Sequence, residues 1–85
     1  MYITNANGCR YEVLAVVKRG KSNRYFLAQL RDDGSVVQYV IAYDYNKISQ
    51  DWAYGSYGFC RADMQNYFAD SAHDLLTYDL DNDLY

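Results

Sequence analysis

Asp33-Gly34 lies between two runs of alternating side chains, and no other feature constrains this 85-residue chain so tightly. Asp-Gly favours the type I′ turn, in which both central residues take positive φ and the flanking strands close into an antiparallel pair. With Asp33 and Gly34 at the turn centre, Leu30 faces Val37, Ala28 faces Tyr39 and Phe26 faces Ile41. Side chains alternate with period two, so these six share one wholly apolar face. The opposite face receives Arg31 with Val36, Gln29 with Gln38, Leu27 with Val40 and Tyr25 with Ala42, a mixed set. A slip of one residue scrambles that division, so the pattern fixes the register.

The rest of the chain reads outward from this hairpin. Asn5-Ala-Asn-Gly8 has the composition of a turn, and Arg10-Tyr-Glu-Val-Leu-Ala-Val-Val-Lys18 that of a strand. In it Tyr11, Val13, Ala15 and Val17 form an apolar set, while Glu12, Leu14, Val16 and Lys18 are mixed. The sequence predicts strands at 10–18, 24–31 and 36–45, and a fourth at 52–57 weakened by its glycines. Met64, Tyr67, Phe68, Ser71, Ala72, Leu75 and Leu76 then follow the spacing of an amphipathic helix over 61–77. Asp63 falls in its first turn, where a carboxylate suits the positive end of the helix dipole. Residues 79–85 read as an acidic tail. The expected fold is α+β: one domain over 1–85, an antiparallel meander of three to four strands, and one C-terminal amphipathic helix packed on the face of Val13, Phe26, Ala28, Tyr39 and Ile41.

One helix covers one face of a sheet. The other face keeps Leu14, Leu27 and Val40, and a contiguous apolar patch on a small domain marks an interaction site. Contact with a partner or a second copy through that face, giving a homodimer, and cover by the N-terminal segment are the alternatives. The eleven tyrosines suit half-buried strands and binding surfaces equally, having an apolar body and a polar tip.

Chemistry is sparse. The single histidine, His73, neighbours Asp74, and adjacent residues on a helix do not face each other. Asp70 and Asp74 share a face at i, i+4 but have the character of solvated carboxylates. Cys9 and Cys60 stand apart, with no C-x-x-C motif and no metal-ligand spacing, and two cysteines are too few for a disulfide framework. Asp79-x-Asp81-x-Asp83 imitates the start of a calcium loop without its turn glycine or bidentate glutamate. No enzyme activity, cofactor, metal or small-molecule substrate is expected from these residues. The longest aliphatic run, Val13–Val17, is far too short to span a bilayer, and Met1-Tyr-Ile-Thr-Asn5 lacks the basic start of a leader. A cytoplasmic location and no membrane partner are the resulting expectations.

Charge divides the chain. Residues 1–43 hold six bases and three acids, residues 44–85 two bases and eight acids. The acidic half predicts a surface of Asp70, Asp74, Asp79, Asp81 and Asp83 with Tyr78, suited to a basic partner. The basic half offers an alternative: Lys18, Arg19, Lys21 and Arg24 gather on one turn, where a nucleic acid would bind. Against that stands the acidic whole, with a pI near 4.7.

Val40-Ile-Ala-Tyr-Asp44 and the segment from Asp51 through Trp52-Ala-Tyr-Gly-Ser-Tyr-Gly-Phe59, followed by the helix, resemble a group of short proteins from phages and conjugative elements of Gram-positive bacteria. In that group a Val-Val/Ile-Ala-x-Asp strand precedes a Trp-Ala-x-Gly-x-Tyr-Phe-like segment and an amphipathic helix; Gly58 and Cys60 depart from the pattern. Small acidic proteins of this kind include anti-CRISPR and anti-restriction inhibitors. The resemblance therefore implies a non-enzymatic inhibitor that occludes the nucleic-acid site of a host defence protein in a bacterial cytoplasm. It carries over no individual binding residue.

Overall fold

The computed structural model describes the backbone of residues 1–78 and the side chains of residues 1–71. Five strands form one antiparallel sheet in simple meander order, β1 (Tyr2–Thr4), β2 (Arg10–Arg19), β3 (Ser22–Leu30), β4 (Val36–Tyr43) and β5 (Tyr54–Gly58). One helix, α1 (Arg61–Tyr78), follows. The architecture is α+β, with one strand more than the sequence suggested. The addition is β1, three β-favouring residues that pair with Arg10–Glu12 across the Asn5–Cys9 turn. Asn5 holds that turn with its side chain, Oδ1 accepting the N–H of Asn7 at 3.0 Å and of Cys9 at 2.9 Å.

The central hairpin keeps the predicted register through most of its length. Phe26 pairs with Ile41, Leu27 with Val40 and Ala28 with Tyr39. The turn itself differs. Gly34 N–H donates to Arg31 O and Arg31 N–H to Ser35 O, so the loop has three residues, Asp32-Asp33-Gly34, rather than two. Gly34 takes φ 88°, the left-handed conformation that glycine adopts without a Cβ clash and that ends this kind of three-residue loop. The extra loop residue shifts the pairing by one, so that Leu30 meets Val36. A bulge at Val37 shifts it back by Gln29 and Gln38. Two irregularities cancel.

A second bulge has larger consequences. In β2 the register jumps between Val13, opposite Leu27, and Ala15, opposite Phe26, leaving Leu14 unpaired. Every side chain before the bulge thereby changes face relative to those after it. Tyr11 and Val13 join one side of the sheet, while Ala15 and Val17 join the other. The four-residue apolar set expected on one face is split in two, and Val13 does not lie beneath the helix.

The helix side is a core of Val17, Phe26, Ile41, Met64 and Phe68, with Leu14, Ala15, Tyr39 and Tyr43 packed around it. Met64 and Phe68 are one helical turn apart and both buried, so this stripe of α1 faces the sheet. The Phe68 ring stacks on Phe26 at 5.5 Å and 20°. Cys60 gives the helix its first carbonyl, accepting the Met64 N–H at 3.0 Å. Tyr67, placed in the apolar stripe by its spacing, is instead 53% exposed. The side chains of Ala72, Leu75 and Leu76 lie outside the described residues.

The opposite side of the sheet is also interior. Leu27 and Val40 are 0% exposed, in a second core with Tyr11, Tyr25 and Ala42. Ile3 and Cys9 cover it from the N-terminal segment, and Tyr45 and Trp52 from the connection between β4 and β5. The open face expected at Leu14, Leu27 and Val40 is therefore corrected: Leu27 and Val40 are core, and Leu14 packs with the helix-side cluster. Cover by the N-terminal segment, the alternative reading, supplies part of the lid.

The β4–β5 connection supplies the rest, and one residue fastens it. Asp44 turns the chain with φ 60°, and Asn23, buried in β3, receives it. Asn23 Nδ2 donates to Tyr45 O at 3.1 Å, and Tyr45 N–H donates to Asn23 Oδ1 at 2.8 Å. The amide thus imitates one rung of strand pairing. Asp44 N–H donates to Asn23 O, and Asn23 N–H to Asp44 Oδ1. With Tyr45 fixed, its ring lies 5.1 Å from Tyr25, and Trp52 meets Tyr11 edge-on at 5.2 Å. Burial raises the phenol pKa of both Tyr25 and Tyr45.

Candidate functional site: an acidic helix stripe and an aromatic strand edge

Two surfaces carry side chains that folding does not consume. The first runs along α1. Asp63, Tyr67 and Asp70 follow one another at i, i+4 and i+7, which places them on one stripe of the helix. Asp63 and Asp70 lie more than about a quarter turn from both buried residues, Met64 and Phe68, and Tyr67 about a sixth of a turn from Met64, so the stripe turns away from the sheet. All three are exposed. Asp74 continues the spacing at i+4 from Asp70, with its side chain outside the described residues. Tyr78 closes the helix under the same limit, and Asp79, Asp81 and Asp83 lie outside the described residues altogether.

The second surface is β5 with the residues around it. Tyr54 is 65% exposed, Tyr57 54% and Phe59 81%. Tyr54 leans on Tyr43 at 5.1 Å between ring centroids. Tyr57 lies back along its own strand over Gly55, where an added Cβ would fall 2.7 Å from its hydroxyl. That close approach lets the Tyr57 hydroxyl accept the Trp52 Nε1–H at 3.1 Å. Glycine at position 55 thus ties the strand to the aromatic lid.

The basic turn is differently arranged. Lys21 is exposed beside Gly20 at the β2–β3 turn, and Lys18 and Arg19 are half-buried at the end of β2. Arg24 is engaged within the fold. Its guanidinium lies 4.4 Å over the Tyr43 ring, donates to Asn23 O at 2.9 Å and sits 3.9 Å from the Asp44 carboxylate. Its buried Nε has no hydrogen-bond partner among the described residues. An arginine so held steadies the 44–53 connection, and the four bases do not form one open patch.

A half-open cleft of about 340 Å³ lies between α1 and the edge of β2, lined by Leu14, Val17, Phe26 and Phe68 with Arg61 and Gln65 at the helix. Its walls are apolar and offer shape rather than acid–base groups. Tyr11, beneath the lid, has its phenol pKa pushed up to about 12, chiefly by burial and then by the neighbouring Cys9 and Tyr57, against a hydrogen bond from Asn5. Such a phenol stays protonated and serves as a core group. Among the described residues no three His, Cys, Asp or Glu side chains gather to hold a metal ion. No described helix is long and apolar enough to cross a membrane.

Of the acidic surface expected from the sequence, Asp70 alone has a described side chain, and it is exposed; Tyr67, expected in the apolar stripe, stands beside it, and the aromatic edge was not anticipated. The Tyr-Gly-Ser-Tyr-Gly segment was legible as a strand. That it ends the sheet, with its rings in solvent, depends on strand order. Comparison with protein families, curated proteins and solved structures finds no match for this chain.

Proposed function

We propose that this protein is a non-enzymatic binding protein whose acidic helix surface docks on a basic, nucleic-acid-binding protein and blocks its site. The observation that carries the reading is the exposed Asp63–Tyr67–Asp70 stripe of α1, turned away from the sheet. Carboxylates spaced along a rigid helix can occupy positions that phosphates take in a basic groove. An aromatic ring among them supplies the apolar contact that anchors interfaces. Asp74 extends the stripe by its spacing, and Asp79, Asp81, Asp83 and Tyr78 extend the acidic segment in sequence. The likeness of residues 40–44 and 51–59 to mobile-element proteins supplies the context of a host defence protein as the target and a bacterial cytoplasm as the place.

The test is competitive capture. The immobilised protein is exposed to a bacterial lysate at about 0.05 M and about 0.5 M salt, which brackets the roughly 10 Å screening length at 0.1 M. A nucleic-acid-binding protein should be retained at low salt, released by added nucleic acid, and lost with Asp63→Lys plus Asp70→Lys. Direct binding of labelled nucleic acid that disappears with Lys21→Glu, with no protein captured, would instead establish the basic turn as the functional surface.

A further inference from the structure

The sheet ends at β5, and that end is built unlike a protected one. Edge strands of monomeric proteins are blunted by charges, proline, bulges or shortness, because open N–H and C=O groups invite another strand. β1, the other edge, is three residues long, with Arg10 lying 5.6 Å over the Tyr2 ring. From Ala53 to Cys60 there is no charge and no proline, and the β4–β5 pairing contains no bulge.

The direction of the free groups follows from the ladder. Asp44 N–H points to β3, where it meets Asn23 O, and Tyr43 O accepts from Ala53 on the β5 side. Alternation then turns Tyr43, Ile41 and Tyr39 toward β5 and their partners Tyr54, Ser56 and Gly58 inward. The N–H and C=O groups of Gly55 and Tyr57 point outward, and no hydrogen bond joins them to another described residue.

We propose that β5 pairs antiparallel with β5 of a second copy, with Ser56 on the two-fold axis. In this register Gly55 of one chain and Tyr57 of the other, both pointing outward, exchange their N–H···O bonds. The side chains select it. Tyr57 stands opposite glycine, Tyr54 stands opposite Gly58, and no two rings are directly opposed. Moving the axis to Gly55 or Tyr57 instead sets glycine on glycine or ring on ring. Charge agrees: the Asp51 end of each strand comes beside the end leading into Arg61 of the other. Such an isologous contact makes a closed dimer with one continuous sheet. It excludes water from rings now more than half exposed.

The proposal is independent of the acidic-stripe reading, and salt separates the two. Contact with a basic partner weakens as salt rises, whereas an uncharged strand edge between two acidic chains does not. A five-residue strand buries less than a standard interface, so self-association is expected on the order of 10–100 µM. Sedimentation equilibrium of the full chain, from about 5 µM to about 1 mM, should show the mass rising from 9.9 kDa to twice that. Over the same range, the Gly55 and Tyr57 amides should gain protection from hydrogen exchange. Tyr57→Pro removes an outward donor and no bond to β4, so it should leave a folded monomer, while Tyr57→Phe, which removes only the hydroxyl's bond from Trp52, should still dimerise. Tyr57→Lys, a charge at the edge, gives the same reading should proline disturb the strand. A monomer at 1 mM, or a dimer that survives Tyr57→Lys with unchanged amide protection, overturns the proposal.

Discussion

Replacing Asn23 by alanine should loosen one side of this protein in a way that can be measured there. The side chain is buried and makes a donor and an acceptor bond to the backbone of Tyr45. Alanine removes both and leaves the Tyr45 N–H and C=O without those partners. Each buried group left unsatisfied costs about 1–3 kcal/mol, and water entering the loosened loop recovers part of it, so the loss should be roughly 2–4 kcal/mol. Stability of about 0.05–0.15 kcal/mol per residue gives a domain of this length only about 4–13 kcal/mol in all. Trp52, the single tryptophan, sits on the same connection against Tyr11 and Tyr45, so its fluorescence follows this region during urea unfolding. With a slope near 1–1.5 kcal/mol per molar urea, the midpoint should fall by roughly 2 M. Lys21→Ala, at the exposed turn nearby, should change stability by less than about 0.5 kcal/mol. If Asn23→Ala unfolds at the parent midpoint with unaltered Trp52 emission, the amide does not fasten the lid and the argument fails.

On the other side of the sheet, Phe68→Ala should cost about 3–5 kcal/mol by calorimetry or denaturant titration, since it empties a buried aromatic site stacked on Phe26. A variant that melts with the parent would show that α1 does not depend on this contact. Tyr11 gives a pH prediction. Its folded pKa of about 12 lies above the ordinary 10, so the stability it contributes is whole below pH 10 and is lost as pH climbs through 10 to 12. Tyr11→Phe should therefore remove that part of the alkaline decline, and the parent's advantage at neutral pH should shrink across the window. Parallel decline of the two proteins between pH 10 and 12 would show that Tyr11 is not the group responsible.

Local pattern determined much of this molecule. Two faces that differ in polarity specify the pairing of Phe26 with Ile41 and Leu27 with Val40, and the turn residues place the reversal near Gly34. The spacing of Met64 and Phe68 puts both against the sheet because residues one turn apart share a face. Pattern fails where two arrangements look alike to it. Val13 to Val17 are five apolar residues in a row, so period two cannot say where a bulge falls, and the bulge at Leu14 decides which face Val13 joins. The lid over Leu27 and Val40 depends on an amide in β3 reaching a backbone more than twenty residues further on, and no local signal anticipates it. Strand order likewise leaves Tyr54, Tyr57 and Phe59 at an open edge, though their composition suits a buried strand equally well. Sequence dictated the pairing in the middle of the central hairpin, because the alternation of neighbouring residues carries that information. Only the tertiary structure decided which surfaces remain in water, because that depends on what the distant parts of the chain come back to cover.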